Sequence, residues 1–177
     1  MSERTLPSSL RIASVAILAA VTFIIGYFVR LPLPATQGIF TLADLGIFFS
    51  AFAFGPFTAA IAGGVGTALI DLIGGTAQYA PISFVVHGLE GLLAGLIASA
   101  AFSRKLEPLA WVLASVVGAI VMVGGYFLAE TVFFGGPATA VTEIFANAGQ
   151  AVIGAVGGAL LALAVRRAYP PIHTLRW

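Results

Sequence analysis

The chain has 177 residues, of which 60% are hydrophobic and only 8% charged, against about a quarter charged in soluble domains. So few charges cannot cover a water-facing surface, which excludes a soluble globular domain and points to an all-α integral membrane protein. With no cysteine and a net charge of +1 from eight scattered basic residues, disulfides, thiolate chemistry, Cys-ligated metals and a nucleic-acid surface are also excluded.

About 20 apolar helical residues cross the hydrocarbon core of a bilayer. The first span is predicted at about 11–29. Its apolar run is long for a signal-peptide core and no small-residue cleavage site follows, so it reads as a retained span. Residues 30–40, RLPLPATQGIF, carry two prolines and a glycine and suit an extended outer loop. Irregular backbone of this kind must lie in water or inside protein, so it is either a lid over a site or a plain connector. Residues 45–70 then run without a charge but are broken by Gly55-Pro56. Proline cannot donate to a helical ladder and disfavours helix in the residue before it, so two shorter helices are expected, about 41–54 and 56–73. Three further spans are predicted at about 80–102, 109–133 and 140–165, which makes one six-span transmembrane domain over 1–177.

Basic residues favour the cytoplasmic side. With six spans and both termini cytoplasmic, Arg4, Arg11, Arg104, Lys105, Arg166, Arg167 and Arg176 fall inside and only Arg30 outside. Reading 41–73 as one kinked span lowers the best ratio from seven against one to six against two.

This topology sorts the polar residues by depth. Asp44, Asp71 and Glu130 fall near outer helix ends, while His87 and Glu90 lie roughly 10 and 15 Å below the outer boundary, from the helical rise. Glu143, Asn147 and Gln150 follow at i, i+4 and i+7, on one face of the last helix. Every membrane-region acid thus sits in the outer half or near the midplane, a pattern that describes a polar cavity open outward over an apolar floor. A buried carboxylate costs about 2.5–3.5 kcal/mol at mid-membrane and normally faces a cavity or a partner. Asp44, Asp71 and Glu130 also fit as interfacial anchors of helix ends, and His87 with Glu90 as a structural pair. The small-residue pairs Gly91/Gly95, Gly154/Gly158 and Ala16/Ala20, each four apart, let helix backbones approach closely.

No GxxxxGK[ST], HExxH or GxSxG occurs, and the only lysine is Lys105, so the chain carries no P-loop ATPase or hydrolase signature. Ser83 lies one turn from His87, with nothing else to complete a nucleophilic site. His87 and Glu90 supply two metal-ligand types without an evident third, and no cofactor motif is present.

The string LADLGIFFSAFAFGPFTAAIAGGVGTALIDLIGGTAQYAPISFVVHGLEGLLAG, residues 42–95, resembles the substrate-binding S components of energy-coupling factor (ECF) vitamin transporters. The resemblance is to the hydroxymethylpyrimidine, pyridoxine and riboflavin-like branch. It rests on Asp44, Gly55-Pro56, Gly63, Gly64, Gly66, Asp71 and the run from Tyr79 through His87 and Glu90 to Gly95. The resemblance implies a six-helix bundle in a prokaryotic plasma membrane, with an outward-facing vitamin pocket built from the first outer loop and the last three helices. It implies Gln78, Tyr79, His87, Glu90, Glu130, Glu143, Asn147 and Gln150 as pocket candidates. It further implies an ECF coupling subunit docked on Ala16 and Ala20, and two ABC ATPases that supply the energy. Several acids against His87 and Arg30 favour a donor-rich or cationic ligand, such as an aminopyrimidine or pyridine, over a phosphorylated one. Two other classes remain open on the sequence: a stand-alone proton-coupled transporter using Glu90 or Glu143, and a ligand-free membrane scaffold.

Overall fold

A computed structural model describes residues 8–33, 36, 38–100 and 105–175. Arg4, Arg104, Arg176 and the last residues of the span expected to 102 lie outside the described residues. Six α-helices dominate: α1 (Ser8–Phe28), α2 (Ala43–Phe54), α3 (Pro56–Gly74), α4 (Ala80–Ser99), α5 (Glu107–Ala129) and α6 (Pro137–Ala168). Among the described residues five of them, all but α2, are long and apolar enough to cross a membrane. The chain is therefore an all-helical membrane protein.

Sequence chemistry sets the breaks between helices. Proline sits in the first turn of α3, α4, α5 and α6, where its missing N–H is one the helix would leave unpaired anyway. Gly55 joins α2 to α3 with φ +94°, a left-handed conformation that a side chain disfavours. Gly75 and Gly136 do the same after α3 and before α6.

Helix α2 has 12 residues and is about 18 Å long, too short for a core of about 30 Å. It need not span lipid, because ten of its residues are buried within the bundle. Its last carbonyls would be costly if unpaired there; Arg166 of α6 donates to the Phe52 carbonyl oxygen at 2.7 Å. The same guanidinium stacks over Trp111 at 4.8 Å and pairs with Glu107. Phe52 stacks in turn on Trp111 with ring centroids 4.5 Å apart. A 3₁₀ stretch, Pro170–Leu175, returns to this end and buries Ile172 in the apolar cluster, so the tail has a packing role.

Glycines draw the helices together. A Cβ at Gly91 or Gly95 would strike the α3 backbone at Ala59 or Pro56, and one at Gly154 or Gly158 would strike α2 at Asp44 or Phe49. Both glycine pairs noted in the sequence are thus backbone-to-backbone crossings. Ala16 and Ala20, by contrast, lie on an exposed stripe of α1.

The segment expected to be an irregular loop contains a short antiparallel hairpin, β1 (Arg30–Pro32) with β2 (Ile39–Thr41), in the register Arg30↔Thr41. Its tip closes through the Leu33 amide on the Gly38 carbonyl at 3.0 Å. Arg30 latches the hairpin to α3 by donating to the Gly74 carbonyl oxygen at 2.9 Å. The bundle thus has a hairpin end and an end where α6 and the tail meet α2.

Candidate functional site

The hairpin roofs a partly open cavity of about 40 Å³ with many polar side chains in its lining. Gly38, Ile39 and Thr41 line it from the hairpin, Thr67 and Asp71 from α3, Ser83 and His87 from α4, Met122 and Tyr126 from α5, and Glu143, Asn147 and Gln150 from α6. Thr76 and Tyr79, from the connection between α3 and α4, complete the wall.

Three hydrogen-bonded groups hold this wall in place. The first centres on Asp71, whose carboxylate accepts from Thr76 Oγ1 at 2.7 Å and from Ser83 Oγ at 2.5 Å. With Ser83 donating to Asp71, the Tyr126 hydroxyl, 2.6 Å from Ser83 Oγ, is the donor of the next link. The second is Tyr79, whose hydroxyl donates to Glu130 Oε1 at 2.6 Å and whose ring stacks on Phe134 at 4.3 Å. Burial, then the adjacent Glu130 carboxylate, pushes the Tyr79 phenol up, so it stays protonated and keeps donating. Glu130 reaches it from a π-helical turn, Glu130–Phe134, that ends α5; such a turn shifts the helix face and is common at functional sites.

The third group crosses four elements. Gln150 Oε1 accepts from the Thr41 amide at 2.6 Å, and Gln150 Nε2 donates to Asp44 Oδ1 at 3.1 Å. That oxygen lies 3.6 Å from His87 Nδ1, which is 2.6 Å from Glu90 Oε2. The hairpin is in this way tied through α6 and α2 to α4.

Six of the eight candidates read from the sequence line the cavity or directly support its wall by these bonds: Tyr79, His87, Glu143, Asn147 and Gln150 line it, and Glu130 holds Tyr79. Glu90 lies fully buried behind His87. Gln78 is exposed and outside the lining, because the 3₁₀ turn Ala77–Tyr79 carries its neighbour Tyr79 inward instead. Asp44 is not an interfacial anchor, since it is fully buried against α4 and α6, and Asp71 belongs to the cavity wall. Ser83, Thr67, Thr76, Met122 and Tyr126 were not legible as lining residues. A serine and a tyrosine in apolar helices give no directional signal until the helices are placed.

Electrostatically the site is acidic. Asp71 and Glu143 line it, and Asp44, Glu90 and Glu130 stand directly behind. Among the described residues the basic groups near it are His87 and the rim guanidinium of Arg30. Gly38 lets the hairpin backbone press on the Glu143 carboxylate, which a Cβ there would strike. Such a cavity can take a small polar molecule presenting several donors.

Residues 7–167 match the sequence profile of the ECF-type riboflavin transporter S component. The chain is 34% identical over 158 residues to the thiamine precursor transporter HmpT of Lactococcus lactis subsp. cremoris, covering 89% of this chain and 88% of that protein. It is 37% identical over 146 residues to an uncharacterized protein of Pyrococcus woesei, covering 81% and 93%. Among solved structures, the S component of a bacterial ECF transporter superposes with a TM-score of 0.66 at 18% identity, over 92% of this chain and 98% of that one; at that identity the likeness shows the fold. From the profile match and the long stretches shared with these relatives, the chain belongs to the family of ECF transporter S components.

Proposed function

We propose that the chain captures a single-ring, amine-bearing vitamin precursor at the outer face of a prokaryotic plasma membrane, as the binding subunit of an ECF importer. An aminopyrimidine of the hydroxymethylpyrimidine type, or a pyridoxine-like pyridine, suits the site. The observation that carries this reading is the acidic, roofed cavity. At about 10–15 Å³ per water centre, its volume holds about three waters, or roughly 90 Å³ of liquid. A substituted ring of about ten heavy atoms already exceeds this, so the cavity must widen to take either ligand, and its acidic lining rather than its volume favours an amine-bearing ring over riboflavin. Asp71 and Glu143 on separate walls offer acceptors to ring amino and hydroxymethyl donors, and His87 and Tyr126, with rings 5.5 Å apart, give the ring a flat neighbour. The name of the Lactococcus relative points to the same substrate class.

In this reading the hairpin end faces outward, six helices cross with α2 sheathed by the others, and both termini are cytoplasmic. The chain is one transmembrane domain, without catalysis of its own. The exposed Ala16/Ala20 stripe docks an ECF coupling subunit, and two ABC ATPases drive release inward. Mass spectrometry of small molecules released from the purified, denatured protein tests the substrate class. A single-ring amine at near one equivalent is expected; riboflavin at that level would overturn the proposed substrate class.

A further inference from the structure

In the sequence, His87 and Glu90 lacked a third metal ligand; the fold supplies one from α2. Asp44 Oδ1 is 3.6 Å from His87 Nδ1, Glu90 Oε2 is 2.6 Å from the same nitrogen, and the three donor atoms lie within 4.8 Å of one another. Asp44 and Glu90 are fully buried and His87 is 3% exposed. Each carboxylate also holds a second oxygen in reserve: Asp44 Oδ2 and Glu90 Oε1 are buried without any hydrogen-bond partner.

The surroundings do not balance this charge. Gln150 offers Asp44 a neutral amide, and Gly118 of α5, packed against the Phe48 ring and the Glu90 side chain, brings no charge. The guanidinium groups of Arg30 and Arg166 are engaged elsewhere, on the Gly74 and Phe52 carbonyls. The further titratable groups facing the triad are Tyr126, whose ring lies 5.5 Å from that of His87, and another acid, Asp71, and neither brings a positive charge. Two carboxylates with one imidazole carry at most one positive charge between them, and an uncompensated charge at this depth is costly. A cation with its own two charges would satisfy both carboxylates and both orphaned oxygens.

We propose that Asp44, His87 and Glu90 form a binding site for a first-row divalent transition ion beneath the vitamin cavity. One imidazole nitrogen with two carboxylates is a donor set that such ions accept, at metal–ligand distances of about 2.0–2.2 Å. The 3.6 Å separation of Asp44 and His87 already allows an ion between them, and the His87–Glu90 contact opens as the hydrogen bond is replaced by coordination. Gln150 serves as the outer partner that orients a ligating carboxylate, as metal sites generally require. His87 belongs to both the triad and the cavity wall, so the ion reaches the triad from the cavity.

Full-length protein in detergent, stripped with a chelator and given no vitamin, is titrated with Zn²⁺ by calorimetry and with Co²⁺ by visible absorption. One equivalent of Zn²⁺ is expected, with Co²⁺ bands of a nitrogen- and oxygen-ligated ion and a raised Tm. Glu90→Gln, Asp44→Asn and His87→Gln should each weaken binding at least tenfold, while His173→Ala, at the one other histidine of the sequence, leaves it unchanged. Thermal unfolding without metal identifies which variants are folded, and any folded one of the three suffices for the comparison. Absence of stoichiometric binding by the native chain, equal affinity in a folded triad variant, or loss on His173→Ala would each overturn the site. Because no vitamin is present, these outcomes are separate from those that test the vitamin cavity.

Discussion

Replacing Gln150 by leucine isolates the link between hairpin and bundle. The two side chains are similar in size, so packing is kept while two buried hydrogen bonds disappear, to the Thr41 amide and to Asp44. Interhelical hydrogen bonds in membrane proteins average about 0.6 kcal/mol, which alone predicts a loss near 1 kcal/mol. The larger effect is desolvation: a buried donor or acceptor left without a partner costs about 1–3 kcal/mol. The Thr41 amide loses its partner entirely, whereas Asp44 keeps His87 nearby, so about 2–3 kcal/mol is expected in total. No compensating hydrophobic gain applies, because lipid tails are as apolar as the new leucine. At about 2–4 °C per kcal/mol for a chain of this size, Tm in detergent without ligand should fall by about 4–12 °C. A shift below about 1 °C would refute the claim that Gln150 bears the hairpin's attachment.

Three other outcomes follow from the geometry. Glu143→Ala and Asn147→Ala should each weaken ligand binding at least tenfold by calorimetry while leaving the helical circular dichroism unchanged; unaltered affinity removes those side chains from the site. Gly158→Val should fail to yield folded protein by size exclusion, because its side chain would enter the α2 backbone at Phe49, whereas Gly124→Ala and Gly149→Ala, with nothing within 4 Å of the new Cβ, should fold normally. Ala16→Leu with Ala20→Leu should leave ligand affinity intact and abolish ATP-dependent uptake in liposomes containing the full importer; undiminished uptake moves the docking surface off α1.

The features legible from sequence were those with local causes. Gly55-Pro56 breaks a helix wherever it occurs, and glycines four apart permit close crossings whatever the partner. The depth ordering of Glu143, Asn147 and Gln150 needed only the helical repeat. What escaped depended on neighbours distant in the chain. Asp44 read as a helix-end anchor because its depth along α2 says nothing of the helices wrapped around it. Asp71, Ser83 and Tyr126 form one chain only after α3, α4 and α5 are packed. Gln78 and Tyr79 are adjacent in sequence, and the 3₁₀ turn that sends one out and the other in is not written in their identities. Glu130 gains its reach from a π-helical turn, which an ideal helical repeat does not anticipate.

The account turns on one acidic cavity roofed by a hairpin. Calorimetric titration of the purified full-length chain with 4-amino-5-hydroxymethyl-2-methylpyrimidine and, separately, with riboflavin tests it most directly. Saturable one-to-one binding of the pyrimidine, at least a hundredfold tighter than riboflavin, is the predicted result. Equal or tighter binding of riboflavin would contradict it.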